Sequence, residues 1–251
     1  MLHETARVEA GAIIGDRVFV GPKAKVLARA ILEPGATIGF AVEVCEEARV
    51  SLRAVVGNCS AVGRCAIVGR RSVVGSFAHI AIEAVIGSQA RIGDKSWIGL
   101  SSSIGDRVRS GDHLHVMGKA RVGKQSRLGT EVWINKSAVV GDEAKIGDDV
   151  MIGAEAVLGA GVRVATGARI GFAVQVSDRA SIRGGARIGM DAKIGAGAVI
   201  GRGATIGDGA TIGAGVRIGA GVEVPENTSV PDGTRICLPR KRRSRSKQAE
   251  A

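Results

Sequence analysis

His79, Trp97, His115, Trp133 and Met151 stand 18 residues apart along this chain, and so do Arg91, Arg109, Arg127, Lys145 and Arg163. An imidazole changes charge near neutral pH, so a histidine beside a substrate hydroxyl or amine can act as a general base. His113 and His115 are two residues apart, which on a strand turns both to one side. Rings of Trp and His together with Met also suit a contact that excludes water, because exposed apolar patches usually mark an interaction site. Phe77, two residues before His79, and Met117, two after His115, enlarge that patch. The five cations are a different kind of feature, a row able to hold an anion.

An 18-residue recurrence must be produced by the elements that carry it. Every sixth residue from Leu2 to Ile236 is Ile, Val or Leu at 39 of 40 positions, and Ser110 is the exception. The residue two before each is Ala, Ser, Thr or Val, except Leu114, and the residue after is Gly at 25 of the 40. No insertion interrupts the frame. A small and an aliphatic residue two apart face the same side of a strand, and the residue between them faces outward. The following Gly is expected to turn the chain, since a tight corner often needs a positive φ that Gly adopts at no steric cost. Three strand-and-corner units close a triangle of 18 residues, and stacked triangles place identical positions about 4.8 Å apart. The frame predicts an all-β solenoid of about 13 triangular coils, roughly 60 Å long, cored by an Ile/Val/Leu column beside Ala and Ser. Ser110 removes core volume where Leu114, around the next corner, adds it, an exchange that cores tolerate.

Composition agrees with this packing and excludes others. With Gly at 38, no Tyr, four Phe and two Trp, the chain does not specify a layered globule with an aromatic core. No run is long and apolar enough to span a bilayer and the start lacks the form of a signal peptide, so a cytoplasmic location is expected. Cys45, Cys59, Cys65 and Cys237 follow neither a CxxC nor a zinc spacing and are expected to be reduced structural thiols. Residues 1–238 form one domain, followed at 239–251 by a disordered basic tail. Its cations Arg240, Lys241, Arg242, Arg243, Arg245 and Lys247 account for close to half of the net charge of +11. The tail suits contact with a polyanion, or simply keeps the chain in solution.

The pattern aliphatic-Gly-x-x-small-x, held from residue 2 to 237, resembles the hexapeptide repeat of the left-handed parallel β-helix superfamily, which acyltransferases dominate. The left hand is what the resemblance implies, because the general rule for parallel crossovers favours the right. The resemblance further implies a homotrimer, a site between neighbouring prisms, acetyl-CoA or another acyl donor, and a histidine base, for which His113 and His115 are the candidates. The chain departs from such enzymes in having no loop thrown out of the frame and no appended helix or lid. It is also similar to the γ-class carbonic anhydrases, since His79 and His115 match the spacing of their first zinc pair. The third ligand position holds Ala120, and no metal site is expected.

These features together describe a non-catalytic scaffold or interaction protein without a cofactor, self-associating through Phe77, His79, Trp97, His115, Met117, Trp133 and Met151. An acyl-CoA-dependent O- or N-acyltransferase with its site between subunits is the alternative. Arg91, Arg109, Arg127, Lys145 and Arg163 are the anion-binding candidate. Against that, Asp94, Asp106, Asp112, Asp142 and Asp148 at the adjoining corners are expected to neutralise the row. No aromatic interleaves the cations, which weighs against nucleic acid.

Overall fold

In the structure, a computed structural model whose described residues are 1–237, two-residue strands recur every six residues from Arg7–Val8 to Arg235–Ile236. They sort into three parallel sheets of 13 strands each, begun by Arg7–Val8, Ile13–Ile14 and Phe19–Val20. Partners in register are 18 residues apart throughout, as in His79 with Trp97 and Arg91 with Arg109. The chain is thus a three-sided solenoid, and the expected frame is the observed one. Among the described residues no helix is long and apolar enough to cross a membrane. The tail cations from Arg240 to Lys247, and the boundary set at residue 238, lie outside the described residues.

The aliphatic and small columns form one buried cluster running from Val18 to Val230. Each six-residue repeat contributes one aliphatic and one small inward side chain, Ser110 and Leu114 apart, so the core needs no second layer. Serines in the small column satisfy themselves locally: the hydroxyls of Ser60, Ser72 and Ser126 donate to the corner carbonyls of Gly75, Gly87 and Gly141 at 3.0, 2.6 and 3.1 Å. No buried side-chain polar atom among the described residues lacks a partner, as stable interiors require. Leu114 is fully buried, whereas Ser110 stays half-buried with its Oγ accepting the Gly93 N–H at 3.2 Å.

The glycine after each aliphatic residue does not turn the chain, contrary to the expectation above. Positive φ falls two residues later, at the second corner residue, in every corner from Gly11 to Gly233. Most of those residues are not glycine; Phe77 has φ 57° and His113 56°. Such a conformation costs an ordinary residue about 1–2 kcal/mol. The stack offsets this, because from Gly35 onward each of these N–H groups donates to a carbonyl of the preceding coil, as from Phe77 to Asn58 O at 2.8 Å and from His113 to Asp94 O at 2.9 Å. The glycines answer a different need. A Cβ on Gly57 would lie 2.5 Å from the carbonyl carbon of Gly75, and one on Gly93 2.3 Å from the oxygen of Gly111. Successive coils approach too closely there for a side chain.

Candidate functional site

The first sheet carries His79, Trp97, His115, Trp133 and Met151 on five consecutive coils. Register alone brings the rings together, since the outward position of each strand lies over the one before it. His79 stacks on Trp97 with centroids 4.3 Å apart and planes 17° from parallel, and His115 on Trp133 at 3.9 Å and 9°. The stacking leaves each indole open on its outer side: Trp97 is 42% exposed and Trp133 38%. Phe77 stands exposed on the adjacent corner, and Met117 is half-buried. The expected patch is therefore contiguous along the strands.

Two contributors were not expected. Ile82 and Leu100 are exposed on the opposite corner of the same face, 18 residues apart. Their signal was an aliphatic residue at the first corner position, where most coils have a polar or small one.

His113 does not share a strand with His115. The strand is His115–Val116, and His113 is an exposed corner residue at positive φ, because the buried Leu114 between them starts the next inward pair. Burial pushes the His115 imidazole pKa below its usual value, and the nearby His113 adds to the shift. A ring held neutral can accept a proton, yet one face of His115 is covered by Trp133. Among the described residues no side-chain hydrogen bond orients His79, His113 or His115, although a catalytic base is ordinarily held by a third group.

The residues do not fit the zinc set of the carbonic anhydrases. Trp97 stands between His79 and His115, and Ala120 is buried in the core. No three His, Cys, Asp or Glu among the described residues are grouped to hold a metal ion. All four cysteines are unpaired. Burial, with Glu43 and Glu46, raises the Cys45 thiol pKa, and a hydrogen bond to Glu47 raises that of Cys65, so neither is an activated nucleophile.

The third sheet presents the cation row, and among the described residues none of the corner aspartates forms an ion pair with it. The Oδ1 atoms of Asp94, Asp106, Asp112, Asp142 and Asp148 accept backbone N–H groups of the preceding coil, from Ser76, Ser88, Asp94, Lys124 and Thr130, at 2.6–2.9 Å. A short side chain at the first corner position reaches along the stack to that N–H rather than across the face to a guanidinium. Asp142 also pairs with Lys124 at 3.7 Å, which is not in the row. Shallow grooves, open to solvent, run beside the cations.

Family models match part of this frame: the bacterial transferase hexapeptide (six repeats) at residues 167–202 and 191–226, and the hexapeptide repeat of succinyl-transferase at 143–171. The matched residues are successive six-residue repeats of this three-sheet parallel β-solenoid. Among solved structures, this hexapeptide-repeat chain is similar to a mutant perosamine N-acetyltransferase from Caulobacter crescentus in complex with CoA and GDP-perosamine. The two are 20% identical over 47% of this chain and 52% of that one, with a TM-score of 0.35. It is also similar to the UDP-N-acetylglucosamine acyltransferase of Arabidopsis, at 18% identity over 92% of this chain and 71% of that one, TM-score 0.28. The UDP-N-acetylglucosamine O-acyltransferase of Moraxella catarrhalis gives 20% identity over 90% and 71%, TM-score 0.24. The chain spans about half the length of the Caulobacter protein. No curated protein matches it.

Proposed function

We propose that this hexapeptide-repeat chain is a cytoplasmic β-helical scaffold that self-associates as a trimer through the Trp/His face of its first sheet. One observation carries the reading: two His–Trp stacks hold both indoles of the protein half exposed on one face, in line with Met151 and flanked by Phe77, Ile82 and Leu100. Tryptophan dominates interface energetics, and rings already fixed by stacking lose little further freedom when a partner covers them. Light scattering of the purified chain at micromolar concentration tests this. A single oligomer of defined size is expected, and a monomer refutes the reading.

The second reading is an acyl-CoA-dependent acyltransferase. It is favoured by the transferase descriptions of the repeats matched between 143 and 226 and by a His115 held neutral. On one chain the histidines lie on a flat wall, which neither encloses an acyl donor nor orients two substrates, so a neighbouring chain would have to supply the second wall. Incubation with acetyl-CoA and a panel of amine and hydroxyl acceptors decides between the readings. A scaffold releases no CoA above background, whereas a transferase should lose about 10²- to 10⁴-fold in rate in the His113→Ala/His115→Ala variant.

A further inference from the structure

The third sheet is a separate face from the one that bears the His–Trp stacks. Arg91, Arg109, Arg127, Lys145 and Arg163 stand in register on five successive coils, and all are exposed. Strand spacing makes the row about 19 Å long. Like charges in register destabilise a ladder. None of the five is among the ion pairs of the described residues, which join Arg29 to Glu47, Arg49 to Glu33, Lys124 to Asp142 and Arg169 to Asp149. The corner aspartates accept backbone N–H groups through Oδ1 and keep their charge: Asp148 lines the groove beside Arg127, Lys145 and Arg163, and Glu143 the one around Arg109, Arg127 and Lys145. Five cations in register with no direct ion partner fit a surface whose counter-charge is completed by a ligand.

The shape of the surface narrows the ligand. The row is one residue wide, because each strand has a single outward position. Beside it runs a strip of backbone at Gly129, Gly147 and Ala165, underlain by Leu128, Ile146 and Val164 and bounded by the Asp148 carboxylate, whose Oδ1 lies 2.2 Å from where a Cβ on Gly129 would stand. The geometry points to a binding track for an acidic polysaccharide, a linear chain of hexuronate sugars laid along this strip with its carboxylates on the cations. A sugar ring is close in length to the separation of neighbouring strands, so the carboxylates that the chain's twist turns toward the protein fall in step with cations of the row, and those of the rings between face solvent. The smooth strip suits the C–H faces of the rings. The row itself carries no aromatic side chain on which the bases of a nucleic-acid strand could stack. A membrane would meet a line of charge rather than a plane. Arg217 and Arg235 farther along the same sheet add positive potential that draws a polyanion in.

Titration calorimetry of the full chain with a length series of oligogalacturonates tests the track. Affinity is expected to rise with chain length until the oligomer spans the row, then level off, and to fall steeply with added salt. The variant Arg109→Gln/Arg127→Gln/Lys145→Gln should bind roughly 10- to 100-fold more weakly. Free of ligand it should melt no lower than the wild type, since like charges have been removed. Changing Arg240, Lys241, Arg242 and Arg243 to Gln should leave the affinity and its plateau in place. The proposal is overturned by absence of binding, by unchanged affinity in the ladder variant, or by loss of binding in the tail variant. Tighter, ladder-dependent binding of an oligothymidylate or of phosphatidylserine vesicles would also overturn it, by assigning the row to nucleic acid or membrane.

Discussion

Replacing Trp97 and Trp133 together by Glu should turn the assembly into folded monomers. A free tryptophan side chain presents up to roughly 250 Å². The exposed fractions of 42% and 38% therefore leave about 100 Å² on each indole for a partner to cover. At about 25 cal/mol per Å² this is about 2.5 kcal/mol per ring and about 5 kcal/mol for the pair, within the range of interface hot spots. Two carboxylates placed in the same contact add desolvation cost, so dissociation should strengthen by more than about 1000-fold. The fold itself should survive. Both positions face outward over the buried Ile98 and Ile134, and Glu43 already occupies the same column. Loss of two ring stacks costs each chain roughly 0.5–1.5 kcal/mol per stack. Sedimentation velocity over a micromolar concentration series, with circular dichroism on the same samples, separates the two effects. An unchanged oligomer in the folded double variant would refute the reasoning, because no other face carries the indoles.

Folding stability should fall on the acid side of neutrality. Burial and His113 depress the His115 pKa, so the neutral ring's contribution is complete above the ordinary value of 6.5 and is lost as pH falls through the lowered pKa. Denaturant melts over a pH series should show a loss on acidification in the wild type and a flatter profile in His115→Gln; identical profiles would refute it. At the corners, Gly201→Val should cost about 1–3 kcal/mol or more in denaturant melts, since even a Cβ there falls 2.3 Å from the carbonyl carbon of Gly219. Gly203→Ala should cost only the about 1–2 kcal/mol of its φ of +63°, because nothing lies within 4 Å; a larger loss than Gly201→Val would reverse the assignment of roles. Asp148→Ala should lose about 0.5–1.5 kcal/mol of thermal stability and Asp148→Asn little, since the Thr130 N–H needs an acceptor rather than a charge; equal losses would restore the neutralising role.

Six-residue periodicity was enough to determine the solenoid, its length, its core columns and which outward residues stack. Inward and outward alternation along a strand is set by backbone geometry, and an uninterrupted frame carries register from one coil to the next. That is why the line from His79 to Met151 and the row from Arg91 to Arg163 were legible residue by residue. Three things were decided only by the tertiary structure. The glycines proved to be required by the approach of the next coil, a distance between residues 18 apart that a local turn rule does not contain. The corner aspartates found backbone N–H groups along the stack before they could reach the cations, because a short side chain bonds the nearest unpaired donor. His113 and His115 parted at the corner, where Leu114 had to turn inward to join the core, so two neighbours in sequence came to occupy different elements. Periodicity places each side chain on a face; the separation between coils and the hydrogen bonds across it decide what that side chain is left to do.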